Sequence, residues 1–219
     1  MTDLTTETTR QPSKIKKTVF ALLLGGVAGF AATFLFLRFA DSGAVGELGT
    51  SREIASLVGL VYLVAAAAVL AGVLAPKAGA SFLNVEDAEE LREQKVMLGA
   101  SGIGMIAAGA ALIVAALAAP VGPIASGTAL ALFVALIALA VFASYVSQKR
   151  QDELMRAMGQ QNGATAFYLL FFAGGGWALA AHCGFVAAPA PLDWLTMMWG
   201  FGLIAAFVTT IRRGMFMMR

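Results

Sequence analysis

The chain has 219 residues, of which 59% are hydrophobic and only 13% charged, with a mean hydropathy of +0.81. A soluble domain carries about 25% charged residues, so this composition excludes an ordinary water-soluble globule and predicts a polytopic membrane protein. A lone cysteine, Cys183, excludes an intramolecular disulfide and a CxxC-type metal site; the formal net charge is +2, but the bases flank apolar runs, so no nucleic-acid partner is expected.

Residues 1–17 are Thr-rich and lack an apolar face. They read as a disordered cytoplasmic tail that ends in a basic cluster, Lys14, Lys16 and Lys17. The apolar run from Thr18 is longer than a signal-peptide core and lacks a small-x-small cleavage site, so it reads as a retained helix. Six spans are expected, at about 18–40, 54–75, 96–119, 125–146, 164–184 and 192–211, each able to cross a core of about 30 Å. The expected fold is therefore an all-α, six-span transmembrane helical bundle over residues 18–219.

Between the first two spans, Thr50 and Glu53 have the spacing of a capping box. Pro76 ends the second span because it cannot continue the hydrogen-bond ladder. Asn84 is an expected N-cap for an acidic polar helix that runs into span three. Pro120-Val121-Gly122-Pro123 forms a tight turn, Pro189 and Pro191 break the last hairpin, and Asp193 suits the helix dipole at the start of span six.

From Asp87 to Arg213 the chain reads as one hairpin written twice in outline. Glu89-Glu90-Leu91 and Lys149-Arg150 mark the first copy; Asp152-Glu153-Leu154 and Arg212-Arg213 mark the second, at a constant shift of 63 residues. A real duplication would consist of parallel repeats, spans 3–4 and 5–6. The acids Glu89, Glu90, Asp152 and Glu153 are then a candidate cytoplasmic docking surface. Against this, Arg92 and Arg156 follow at i+3 or i+4 and suit ordinary solvated ion pairs.

Threading follows from the bases. One side receives Arg10, Lys14, Lys16, Lys17, Lys77, Arg92, Lys95, Lys149, Arg150, Arg156, Arg212, Arg213 and Arg219; the other receives only Arg38 and Arg52. By the positive-inside rule both termini are cytoplasmic, in the inner membrane of a bacterial-type cell. Trp194 and Trp199 near the outer end of span six read as interfacial belt residues, and Arg38 is placed to snorkel to water.

No Asp, Glu, Lys or Arg lies in the middle of a span, which argues against an ion-coupled transporter. Gly174-Gly175-Gly176-Trp177 interrupts span five; Gly175 is roughly 17 Å along the span from Ala164. The glycines allow a kink, close packing, or a cavity walled by Phe171, Phe172 and Trp177, and the matching positions Ala111, Leu112 and Ile113 carry no twin break. His182-Cys183 is a candidate outer-face polar site, although adjacent helical side chains point about 100° apart. Gly25 and Gly29, and Ala100, Gly104 and Ala108, form small-residue stripes that suit helix packing.

No catalytic set, phosphate loop, metal motif or haem-ligand pair is present, so no cofactor or enzymatic activity is expected. The function expected is that of a non-enzymatic accessory protein. Its partners are the lipid bilayer and either a second copy or another membrane protein. The alternative is a permease for an uncharged or lipid-like solute, with its cavity at the glycine break.

Overall fold

A computed structural model describes residues 11–43, 45, 48–83, 85 and 87–214, with backbone alone for 11–17. Among them are helices α1 (Gln11–Asp41), α2 (Gly49–Leu74), α3 (Pro76–Gly79), α4 (Ala88–Glu93), α5 (Lys95–Ala116), α6 (Ser126–Gln148), α7 (Glu153–Leu169), α8 (Gly175–His182) and α9 (Pro191–Arg212). A π-helical turn, Leu170–Gly174, joins α7 to α8 without interrupting the rod. The fold is all-α, and six helices are long and apolar enough to cross a membrane. We call the ends of the bundle the terminal side, where α1 begins and α9 ends, and the far side.

Several boundaries differ from the sequence reading. Helix α1 starts at Gln11, inside the stretch read as a tail. The expected Thr50–Glu53 capping box is not formed: α2 begins at Gly49, whose φ is +69°, and Leu48 at the N-cap supplies no side-chain bond. Both Thr50 and Glu53 are therefore already helical. Asn84 lies outside the described residues. Asp87 caps α4 instead, its Oδ1 accepting from the Glu89 and Glu90 amides at 2.9 Å each. Pro76 does end α2, and it also opens α3 at its first turn, where its missing amide costs nothing. The fifth span is one 30-residue helical rod, Glu153–His182. At 1.5 Å per residue it is about 45 Å long, so its first turns project beyond the hydrocarbon.

The packing centre is the pair α2 and α5, with α6 against the other flank of α5 and α9 against α2. Glycine makes the α2–α5 crossing tight. A Cβ on Gly59 would lie 2.7 Å from the Gly109 carbonyl oxygen, and a Cβ on Gly109 would lie 2.6 Å from that of Gly59. Such approach gives backbones the dispersion contacts that lipid cannot replace. Towards the far side, Ala55, Leu112 and Ala116 form a buried core under Leu192, Leu195 and Trp199. Towards the terminal side, Val73, Val85 and Leu91 form a second one, which seats α4 across the ends of α2, α3 and α5.

Polar bonds tie the helices at defined heights. On the far side the Arg52 guanidinium donates to the carbonyls of Ala116 (2.7 Å) and Ala118 (2.6 Å), groups that the end of α5 leaves without helical partners. Ser51 donates to Asp193, whose other oxygen accepts from the Ala190 amide at the start of α9. Near mid-membrane the Trp199 indole donates to the Ala108 carbonyl (2.9 Å), and Tyr62 donates its hydroxyl to the Trp199 carbonyl (3.0 Å). Trp199 is thus a packing residue and not the belt residue expected; it sits over the α2–α5 core and beside Phe133. Arg38 lies over the Phe34 ring at 5.3 Å, its stem along the apolar surface.

The two marked hairpins do not pack alike. Leu91 is fully buried, while its counterpart Leu154 is 48% exposed. The α4–α5 path breaks at Gln94, whereas α7 continues unbroken from its Asp152 cap, which accepts from the Met155 amide at 2.7 Å.

Candidate functional site

Helices α6 and α7 leave the short Lys149–Asp152 turn and diverge, because α6 packs on α5 while α7 packs on α9. The wedge between them is a crevice on the terminal side. Its mouth, about 450 Å³, is lined by Tyr145, Gln148, Lys149, Gln151, Arg156, Gly159 and Gln160. A deeper recess of about 310 Å³ shares Gln148 and Gln151 with the mouth and reaches Ser101, Gly104, Met105, Ala108, Ser144, Ser147 and Tyr62. An apolar groove along α6, formed by Ile137, Ala140 and Val141, meets both at Ser144, Tyr145 and Gln148.

The local sequence explains this shape. A Cβ on Gly104 would meet the Ala143 Cβ at 3.5 Å, the Ala140 carbonyl oxygen at 3.6 Å and the Ser144 hydroxyl at 3.8 Å, so small residues let α5 and α6 touch closely below the recess. Ser101 and Ser147 share a hydrogen bond of 2.8 Å across that contact, which satisfies both hydroxyls in a setting that lacks water. Tyr62 stands twelve residues from Leu74, or about 18 Å along α2, so the recess reaches close to mid-membrane. The lining therefore passes from two cations and three glutamines at the surface, through hydroxyls, to one phenol at depth. It contains neither carboxylate nor histidine. That is the chemistry of a site that recognises an acceptor-rich, amphipathic ligand.

The residues singled out by sequence lie elsewhere. In span five, Gly174 is buried against α9: a Cβ there would meet Trp194 at 2.9 Å and Met197 at 3.5 Å. Gly175 and Gly176 are exposed with nothing within 4 Å of a built Cβ. Phe171 and Phe172 are 59% and 70% exposed and belong to an outward aromatic ladder with Phe167 and Tyr168. Trp177 donates to the Ala187 carbonyl at 2.9 Å and thereby holds the loop before α9. A Gly174→Leu variant is accordingly expected to lose about 2 kcal/mol, while Gly175→Leu changes stability by less than about 0.5 kcal/mol. Thermal unfolding of both variants in one detergent checks this, and equal shifts would contradict the different roles given to the two glycines.

His182 and Cys183 are both exposed where α8 ends, and Gly184, at φ +81°, turns the chain there. Among the described residues no group of three His, Cys, Asp or Glu side chains is placed to hold a metal ion. The acids Glu89, Glu90, Asp152 and Glu153 do not meet as one cluster. Glu89 pairs with Arg92 at 3.1 Å on α4, which has no extensive contact with α7. Asp152 faces a separate small crevice with Glu93, Gln94 and Arg150. The expected Arg156 pair with Asp152 or Glu153 is not formed; Arg156 lines the crevice mouth instead.

Sequence reasoning missed Tyr62, Ser101, Ser144, Ser147 and the three glutamines. Tyr62, Ser101, Ser144 and Ser147 are neutral hydrogen-bonding groups within spans two to four, and the glutamines lie at or beyond the end of span four, so no charge within a span marks any of them. Comparison with protein-family models, curated proteins and solved structures gives no match.

Proposed function

We propose that the chain is a non-enzymatic accessory protein of the cytoplasmic membrane, with both termini cytoplasmic, and that α1 is the element through which it associates. One observation carries this reading. The apolar window of α1 is 0% buried, its one extensive helix contact among the described residues is with α2, and Gly25, Gly26 and Gly29 have nothing within 4 Å of a built Cβ. The other glycine-rich crossing of this bundle is closed tightly, whereas this face gains no backbone contact inside the chain. In lipid such a face supports close approach by a second helix.

The test uses the full chain in membranes with Cys183→Ala and Gly29→Cys, followed by thiol cross-linking. The expected result is a discrete covalent adduct, either the dimer or one heterologous membrane protein, that is lost when Gly25→Leu is added. An adduct unaffected by Gly25→Leu, or none at all, would remove α1 as the docking helix. Reporter fusions at the C-terminus and in the Pro120–Pro123 turn test the threading; an extracytoplasmic C-terminus would reverse it.

The crevice favours a second reading, a permease for an uncharged or lipid-like solute, with the pathway at Tyr62 and not at the glycine break. It predicts flux of a labelled lipid across reconstituted vesicles that falls in Tyr62→Phe. Flux equal to that of protein-free vesicles would leave only the first reading.

A further inference from the structure

The mouth of the crevice gathers two cations that the rest of the fold does not use. Arg52 is bound to carbonyls, Arg92 to Glu89 and Arg213 to Gln161. Lys149 and Arg156 have no carboxylate within 4.0 Å; the Lys149 ammonium lies 4.5 Å from the Tyr145 ring centre, on the edge of the space that Arg156 faces from α7. Gln148, Gln151 and Gln160 add neutral amide donors to the same space. No acid interrupts the lining, although Glu93 and Asp152 lie in the next crevice with Arg150.

An apolar track continues from these groups. Ile137, Ala140 and Val141 follow one another on one face of α6, and Ile137 is twelve residues from Lys149. That is about 18 Å of helix, close to the depth of one leaflet of hydrocarbon at about 15 Å. The open side of the wedge faces lipid, since Val141 and Tyr145 are 64% and 55% exposed. Positive charge at headgroup height above an apolar groove of leaflet length matches one class of molecule in shape and charge.

We propose that the crevice binds one anionic phospholipid of the terminal-side leaflet, its phosphate between Lys149 and Arg156 and one acyl chain along Ile137, Ala140 and Val141. Basic pockets between helices at this height recognise anionic headgroups by the same charge pairing. The site is independent of α1, so its failure would leave the association reading untouched.

The experiment is native mass spectrometry of the purified full chain, titrated with phosphatidylglycerol or with phosphatidylcholine of the same acyl chains. One phosphatidylglycerol is expected to remain bound where phosphatidylcholine dissociates. Lys149→Gln with Arg156→Gln weakens that binding roughly 30-fold, at about tenfold per 1.4 kcal/mol and about 1 kcal/mol for each surface cation. Arg156→Gln alone weakens it about fivefold, which keeps the test available should the double variant unfold. Arg150→Gln, an equal charge change in the neighbouring crevice, leaves it within about twofold, since a specific site senses little of a solvent-screened cation that lines a different crevice. Equal retention of both lipids, or an Arg150→Gln loss as large as that of Arg156→Gln, would overturn the site in favour of diffuse surface attraction.

Discussion

Alanine at Gly59 or Gly109 is expected to destabilise the protein by about 3 kcal/mol, the upper part of the range for overpacking. The added Cβ meets a backbone oxygen at 2.7 or 2.6 Å, and a backbone oxygen cannot rotate aside as a side chain can. Relief requires α2 and α5 to separate along their length. Separation also strains the Trp199 bond to Ala108, because that carbonyl is on α5 beside the crossing. Leucine at either position is expected to prevent formation of the bundle. Gly25→Ala supplies the control: its Cβ meets nothing within 4 Å, so the same chemical change leaves the isolated chain's stability within about 0.5 kcal/mol. Thermal or denaturant unfolding in detergent measures all three. A Gly109→Ala protein as stable as Gly25→Ala would mean that α2 and α5 do not cross where the two glycines face each other.

Removing the Arg52 side chain is expected to cost about 2 kcal/mol, within the range for hydrogen bonds made by a charged group. Its guanidinium holds two carbonyls at once, at 2.7 and 2.6 Å, on either side of the last turn of α5. Ala116 is fully buried, so its oxygen has no water to take the place of the lost donor. The position also suits the charge, because the C-terminus of a helix carries partial negative charge. Both bonds leave one nitrogen, Nη1, so Arg52→Lys should recover about half of the loss: an ammonium can also donate to two oxygens, but the lysine stem ends about one bond short of that position. Amide exchange across Leu117–Ile124 should quicken in Arg52→Ala, because those carbonyls anchor a turn closed by the Ala119 amide to the Ile124 carbonyl at 2.7 Å. Unchanged exchange and unfolding temperature would show that the guanidinium does not hold the turn.

The six spans were legible because span formation depends on composition over some twenty residues, a property that survives any tertiary arrangement. The Thr50–Glu53 box is not formed, because both residues lie inside α2, but the place of Asp193 in the first turn of α9 was legible from the helix dipole. Long-range pairings were not. Gly25 and Gly29 carried the more familiar spacing, yet the tight crossing uses Gly59 and Gly109, fifty residues apart, and spacing along one helix says nothing about what faces it. Trp199 looked like a belt residue because its distance from the end of the span was legible while its rotation about the axis was not. The crevice was hidden for the same reason. It exists because α6 and α7 choose different partners, and no single helix records that choice.

Chain order gives the Tyr62–Trp199 bond a meaning in biogenesis. Helices α2, α5 and α6 hold every contact of their own crossing before α9 has been synthesised. Until then the Tyr62 phenol and Ser51 hydroxyl have no α9 acceptor. When α9 arrives it brings one backbone acceptor for Tyr62, one indole donor for Ala108 and one carboxylate for Ser51. Three bonds at two depths then fix its rotation and height together. An intermediate lacking α9 would leave the Tyr62 hydroxyl without this acceptor in the apolar interior, so the docking of α9 depends on α2 and α5 having already brought Tyr62 and the Ala108 carbonyl to their places.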